Sequence, residues 1–155
     1  MQLRIESREP TRIAYISGRG PYPIALPQAF ARLCAFAGPR GLFARAGAVT
    51  LAVCYDDPDT TPPDQIRSEA AITVDDHFYP EADVQARLLP GGKYAVATHL
   101  GPYSGLAAAW KEVCGNLIPR AGLQFRSGEC FEMYLNDPSS VPPEQLRTDI
   151  YVPVQ

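Results

Sequence analysis

The chain repeats its own turn signals at a spacing of about 80 residues, and this internal repeat limits the possible folds more than any other feature. Gly-Pro-Tyr occurs at 20–22 and again at 101–103. Further on, "YDDPDTTPPDQIRSEAAITV" (55–74) aligns with "LNDPSSVPPEQLRTDIYVPV" (135–154), so that Asp-Pro, Pro-Pro and Arg fall at matching places. Because the matched features keep their order in both halves, the pattern predicts a tandem duplication.

Each half has the pattern of a strand, a helix and two further strands. The first strands, 12–20 and 93–101, are rich in β-branched and aromatic residues, and the Gly-Pro-Tyr turn separates each from an amphipathic helix. We therefore predict one α+β domain over residues 1–155, with repeat 1 at about 3–78 and repeat 2 at about 82–155. Two βαββ units predict an antiparallel sheet with two helices on one face. A cleft is expected at the pseudo-twofold junction, where a ligand would bind.

The composition excludes several classes of protein. The 155 residues are 46% hydrophobic, which is typical of a globular domain. The net charge is −3 and Lys and Arg do not cluster, so direct nucleic-acid binding is not expected. No apolar run is long enough for a bilayer and the start lacks a signal-peptide core, which predicts a cytoplasmic protein with no membrane partner. The four cysteines form no CxxC motif and the two histidines stand apart, so no metal and no cofactor are predicted.

Glu132 is the residue that the repeat does not explain. It lies in the middle of the apolar stretch "CFEMYL", and a carboxylate on a buried strand is costly unless a partner meets it. The neighbouring apolar positions recur in the first half, but Ala52 stands where Glu132 would be. The repeated fold therefore does not require Glu132, which makes it a candidate ligand-binding residue.

Two tyrosines are predicted to point the same way as Glu132. Tyr134 lies two residues further along its strand, and Tyr151 lies on the neighbouring strand, with Ala71 as its counterpart. A carboxylate among aromatic rings attracts cations, and partial desolvation would raise its pKa, making it a candidate acid or base. Trp110 is interpreted as a helix-core residue that can reach the cleft from above.

Structural alternatives remain open for all of these residues. Glu132 is compatible with an edge-of-sheet residue that pairs with an arginine in water. Half-buried packing accounts for Tyr134 and Tyr151. Two other residues are interpreted as structural: Tyr103, which recurs at the start of the second helix, and His99, whose ring is expected to be partly solvated.

The motifs taken together resemble the GyrI-like small-molecule-binding domain. They are "LPGGKYAVATHLGPYSGLAAAW" and "FEMYLNDPSSVPPEQLRTDIYVPV", with a weaker first copy, covering roughly residues 3–154. This domain is the effector-binding part of AraC-type and multidrug-sensing activators and also occurs alone. The resemblance implies an SHS2-like duplication of βαββ units. It also implies a pocket glutamate that meets lipophilic cations, a role that maps onto Glu132, with the aromatic lining mapping onto Tyr134, Tyr151 and Trp110.

The resemblance implies three possible activities. The first is a stand-alone binding protein for lipophilic compounds, cationic ones included, in drug or toxin sensing and resistance. Since the first predicted strand begins about a dozen residues after Met1, the stand-alone form is expected. The second activity is hydrolysis of cyclopropanoid electrophiles, with Glu132 and Tyr134 as catalytic residues. The third is DNA gyrase inhibition or protection. The expected partners are a small molecule and either gyrase or a separate regulator.

Overall fold

A computed structural model describes residues 1–155 of the chain. The backbone divides into two compact units. Unit 1 consists of residues 1–9 together with 91–155, and unit 2 consists of residues 10–90. The predicted repeats, by contrast, are continuous in sequence, and their boundaries stay a prediction.

The chain contains eight strands and three α-helices. In chain order they are β1 (Leu3–Arg8), β2 (Thr11–Arg19), α1 (Tyr22–Ala37), β3 (Thr50–Cys54), β4 (Arg67–Thr73), β5 (Gln85–Leu89), β6 (Gly92–Leu100), α2 (Leu106–Glu112), α3 (Ile118–Arg120), β7 (Cys130–Tyr134) and β8 (Arg147–Pro153). None of the helices combines the length and the apolar character needed to cross a membrane.

Each unit is built on four antiparallel strands. In unit 1 the order is β1-β6-β8-β7, and in unit 2 it is β3-β4-β2-β5. The sequence analysis did not predict β1, although its residues pair along the whole of β6 from Leu3–Ala97 to Arg8–Gly92. Strand β5 pairs with β2 from Thr11–Leu89 to Tyr15–Gln85. The α+β class with antiparallel strands is confirmed.

One helical segment packs against each four-stranded layer. In unit 2, Ala29 and Leu33 of α1 join a buried core with Ile16 of β2 and Ile72 of β4. In unit 1 the helical segment is continuous over residues 106–120, because a π-helical turn over Val113–Leu117 connects α2 to α3. Turns of this kind widen the helix locally and are frequent at functional sites.

The helical face of unit 1 covers the sheet residues that lie beneath it. Leu106 and Ala109 of α2 pack with Ala97 of β6 and with Ile150 and Val152 of β8. Burial of this apolar surface holds the helix on the sheet. It also identifies the helix-facing side of each strand, since alternate residues of a strand point to opposite faces.

Several backbone hydrogen bonds occur at matching places in the two units. The amide of Gly20 donates to the Ile66 carbonyl, and the amide of Gly101 donates to the Leu146 carbonyl, both at 2.8 Å. Both glycines have positive φ, 119° and 136°, which a residue with a side chain rarely adopts. These bonds justify comparing the units position by position, while the duplication itself and the cleft at its junction stay predictions.

Candidate functional site

Glu132 lies at the centre of β7 with its side chain on the helix-facing side of unit 1. It stands directly opposite Ile150 of β8, which packs with α2. Directly opposite residues of an antiparallel pair share a face of the sheet. Only 6% of Glu132 is exposed, so its carboxylate is removed from bulk water.

Two aromatic side chains donate hydrogen bonds to the Glu132 carboxylate. The Trp110 indole N–H donates to Oε1 at 2.6 Å, and the Tyr134 hydroxyl donates to Oε2 at 2.7 Å. The ion pairs of the chain do not include Glu132. The alternative of an edge residue paired with an arginine in water is therefore wrong, and the structure brings the predicted Trp110 and Tyr134 to Glu132.

Burial dominates the acid–base behaviour of Glu132. Desolvation raises the pKa of its carboxyl group above the ordinary value of 4.5, because burial disfavours the charged form. The hydrogen bonds from Trp110 and Tyr134 and the charge of His99 act in the opposite direction. Glu132 is thus a buried acid whose ionised form is stabilised by neutral donors and would gain from a cation nearby.

Three further side chains lie around the carboxylate. The Tyr103 ring stands 5.4 Å from the Tyr134 ring at a tilt of 60°. Thr148 of β8 lies opposite both Tyr134 of β7 and His99 of β6, so these three residues share the face of Glu132. Thr148 is fully buried, and its hydroxyl has no hydrogen-bond partner. An unsatisfied buried hydroxyl is unusual and offers a contact for a polar ligand group.

These residues are called the Glu132 cluster below: His99, Tyr103, Trp110, Glu132, Tyr134 and Thr148. All six belong to unit 1, so the cluster forms within one unit. Tyr103 is its most accessible aromatic member, with 37% of its surface exposed. Burial and the acids Glu132 and Asp137 raise the pKa of Tyr103, so its hydroxyl stays neutral and able to donate.

The structure does not bring Tyr151 to the Glu132 cluster. Tyr151 pairs with Phe131, and their rings stack at 4.5 Å and 10° on the opposite face of the sheet. The Arg8 guanidinium lies 5.1 Å from the centre of the Tyr151 ring, and the Tyr151 hydroxyl donates to Glu6 at 3.2 Å. The prediction that Tyr151 faces the same way as Glu132 is wrong, because a shift of one residue in strand register exchanges the two faces.

Sequence reasoning missed three members of the cluster. Tyr103 recurs as Tyr22, which supported a structural role, and the Tyr22 hydroxyl does donate to the Asp56 carbonyl at 2.6 Å. The Tyr103 ring instead contacts Tyr134. His99 was interpreted as a partly solvated strand residue, and Thr148 was not singled out. Comparison of the two units could have pointed to His99, because unit 2 has Gly18 at the matching position and the fold therefore does not require a histidine there.

The described residues do not include a group of three or more His, Cys, Asp or Glu side chains arranged to hold a metal ion. The four cysteines are thiols and do not form disulfides. Cys130, two residues before Glu132, is half-buried, and desolvation raises the pKa of its thiol to about 12. Its thiol is therefore protonated at neutral pH and is a weak nucleophile. Chemistry at this site rests on the carboxylate, the two hydroxyls of the tyrosines and the aromatic rings.

Comparison with known proteins identifies relatives along the full chain. The model of the GyrI-like small molecule binding domain matches residues 1–155. A DNA gyrase inhibitor from Yersinia enterocolitica is 30% identical over 141 residues, covering 88% of each chain.

Solved structures agree in fold. The EcmrR C-terminal domain superposes with a TM-score of 0.77 at 16% identity, covering 99% of this chain and 97% of that one. SAV2435, solved bound to tetraphenylphosphonium, superposes with a TM-score of 0.65 at 19% identity, covering 100% and 94%. At these identities the likeness concerns the fold alone. The family match over the whole length, together with the strand order and the helices described above, establishes that this chain belongs to the GyrI-like small-molecule-binding domain family.

Proposed function

We propose that the Glu132 cluster binds lipophilic cations and that the protein acts in drug or toxin sensing or resistance. The observation that carries this proposal is a buried carboxylate that accepts hydrogen bonds from two neutral donors, Trp110 and Tyr134, and takes part in no salt bridge. A buried carboxylate is costly unless it is paired, and an opposite charge nearby favours its ionised form. In this site the ligand would supply the missing positive charge.

The aromatic side chains define the shape and polarity of the expected ligand. The rings of Trp110, Tyr134 and Tyr103 give flat apolar contact and cation–π attraction, which add to the attraction of the carboxylate. Each carboxylate oxygen accepts more than one hydrogen bond, so a cation can approach while Trp110 and Tyr134 keep theirs. The tetraphenylphosphonium bound by SAV2435 is a cation of this class and supports the proposal.

Titration with a matched pair of probes tests the cation preference. Tetraphenylphosphonium carries the charge, and triphenylphosphine oxide has similar aromatic surface without it. We expect Glu132→Gln to lower the affinity for tetraphenylphosphonium by about tenfold or more, equivalent to about 1.4 kcal/mol. The affinity for the neutral probe should stay nearly unchanged. Equal phosphonium affinity in both proteins would contradict the proposal.

A control variant separates the site from a general charge effect. Glu112 is exposed on α2 of the same unit, and Glu112→Gln makes the same charge change away from the cluster. This variant should bind both probes like the wild type. Trp110→Phe keeps an aromatic ring and removes the indole donor, so it should change affinity less than Trp110→Ala.

Gyrase inhibition is a second candidate function, favoured by the relatives of that name. Binding of a protein uses an outer surface, so this activity would not depend on the buried Glu132 carboxylate. A gyrase supercoiling assay with wild type and Glu132→Gln distinguishes the two. Inhibition of similar strength by both proteins supports a gyrase-binding role, and absence of inhibition by either argues against it.

Hydrolysis of cyclopropanoid electrophiles is a third candidate, favoured by the 2.7 Å hydrogen bond between Tyr134 and Glu132. In this reaction Glu132 would take a proton from a water that attacks a ring carbon, and the ring C–C bond would break with its electron pair passing to the adjacent carbonyl. Tyr134 would turn its hydroxyl from Glu132 to the resulting enolate oxygen, and the proton held by Glu132 would return to the enolate carbon. Turnover of a cyclopropyl ketone that is lost in both Glu132→Gln and Tyr134→Phe is the expected result. Turnover that persists in Glu132→Gln would exclude this mechanism.

A further inference from the structure

Unit 2 contains a groove that lies apart from the Glu132 cluster. Its volume is about 420 Å³, which is within the range of small-molecule sites. The side chains that line it include Ser17, Arg19, Tyr55, Arg67 and Glu69. All of them belong to unit 2. The groove below always means the space between these five side chains.

Strand register places these side chains on one face of the sheet. Arg19 of β2 stands directly opposite Arg67 of β4, and Ser17 stands opposite Glu69. Ala70, the β4 residue that follows Glu69, belongs to the core that packs with α1. Alternation along the strands therefore puts the side chains of Ser17, Arg19, Arg67 and Glu69 on the face of unit 2 that points away from α1.

Two of the three charged groups in the groove already have partners. The Arg87 guanidinium pairs with Glu69 at 2.7 Å, and the Tyr55 hydroxyl donates to the other Glu69 oxygen at 2.7 Å. The Arg67 guanidinium donates to both oxygens of Asp56, at 3.1 and 3.0 Å, which lowers the pKa of that carboxyl group.

Arg19 differs from these groups because its exposed guanidinium makes no hydrogen bond or ion pair, although its charge helps to lower the pKa of Asp56. Its charge, directly opposite that of Arg67, is unfavourable in an antiparallel pair. The arginines at 19, 67 and 87 and the carboxylates of Asp56 and Glu69 leave one positive charge in excess. A bound monoanion would neutralise that charge and relieve the repulsion.

The corresponding place in unit 1 lacks these features. With Gly20 matched to Gly101, the position of Arg19 is occupied by Leu100, and the positions of Tyr55 and Asp56 are occupied by Leu135 and Asn136. The shared frame therefore does not require an arginine at position 19. In the same way, unit 1 has Glu132 at the position where unit 2 has Ala52.

We propose that the groove is a second ligand site, and that it binds a small aromatic monocarboxylate. The five N–H donors of Arg19 are available for a bidentate contact with a carboxylate, and Arg67 adds charge beside it. The Tyr55 ring is 37% exposed and its hydroxyl is held by Glu69, so it presents a fixed aromatic edge to the ligand ring. Ser17 is exposed beside Arg19 and can donate a further hydrogen bond.

Isothermal titration with 2-naphthoate and with the neutral 2-naphthamide tests the proposal. We expect saturable binding of the acid and at least tenfold weaker binding of the amide. Arg19→Gln should lower the affinity for the acid by about tenfold. Arg19→Lys keeps the charge without the planar guanidinium, so its affinity for the acid should lie between those of the wild type and Arg19→Gln. Arg19 is exposed, so circular dichroism is expected to confirm that both variants fold.

Two controls decide between a built site and general attraction of anions. Arg147→Gln removes an exposed arginine of unit 1 at the position that matches Arg67, and it should leave naphthoate binding unchanged. Glu132→Gln should also leave it unchanged, so failure of this proposal and failure of the cation site are separable. Equal binding of acid and amide, or equal losses in Arg19→Gln and Arg147→Gln, would overturn the proposal.

Discussion

Single residues that differ between matching places define the two candidate sites of this protein. Glu132 is buried where unit 2 has Ala52, and Trp110 and Tyr134 supply the hydrogen bonds that make the carboxylate tolerable there. Arg19 is exposed where unit 1 has Leu100. At both places the charged residue is absent from the other unit, and fold stability therefore does not explain its presence.

Replacing Glu132 should change how stability depends on pH. The folded state raises the pKa of this carboxyl group above 4.5, so the unfolded chain loses the proton first as pH rises. The contribution of Glu132 to the free energy of unfolding is therefore greatest below the ordinary pKa. It falls as pH rises towards the raised pKa.

Denaturant unfolding of wild type and Glu132→Gln between pH 4 and 8 measures this effect. The wild type should lose stability relative to the variant as pH rises, because glutamine does not ionise. Other titrating groups cancel in the difference between the two proteins. Stability curves that stay parallel over the whole range would mean that burial does not govern the ionisation of Glu132.

At the scale of elements, the outer strand of each unit is tied to a buried carboxylate. In unit 1, Arg4 of β1 pairs with Asp149 of β8 at 2.8 Å, reaching across β6. In unit 2, Arg87 of β5 pairs with Glu69 of β4, reaching across β2. Removal of the arginine leaves a carboxylate that is 7% exposed or less without its charge partner.

The two arginines should differ in their contribution to stability. Arg87→Ala should cost about 2–3 kcal/mol, because Arg87 is 21% exposed and its loss leaves a buried charge. Arg4→Ala should cost only about 1 kcal/mol, because Arg4 is 44% exposed and solvent screens the pair. Urea unfolding of both variants gives the comparison, and a larger loss for Arg4→Ala would contradict this account.

At the scale of the whole molecule, order along the chain and membership of a compact unit do not coincide. The first nine residues pack with residues 91–155, although residues 10–90 separate them in sequence. Strand β1 then covers β6, and Arg8 contacts the ring of Tyr151. Unit 1 therefore depends on the start of the chain.

Removal of residues 1–9 should loosen one unit more than the other. Hydrogen exchange of the truncated protein should be faster in β6 and β8, which lose the pairing of β1 and the partner of Asp149. Strands β2 and β4 should change much less. A uniform increase of exchange in both units, or none, would show that the two compact units do not respond separately.

The sequence by itself determined the class of the fold and singled out Glu132 as a candidate site residue. Repeated turn signals and alternating apolar residues predict the elements around 12–20 and 93–101, because local conformation depends on nearby residues. The absence of a second glutamate at Ala52 singled out Glu132. The resemblance to the GyrI-like domain, carried by motifs across the chain, agrees with the family match.

Only the tertiary structure decided which side chains meet. Phe131 and Glu132 are both buried, so the two faces of β7 cannot be told apart by polarity, and Tyr151 was assigned to the wrong one. His99 lies at the site because β6 pairs with β8, and Tyr103 lies there because the turn after β6 places it beside Tyr134. Pairing register and long-range packing fix these contacts, and both depend on residues far apart in the chain, beyond the range of a local pattern.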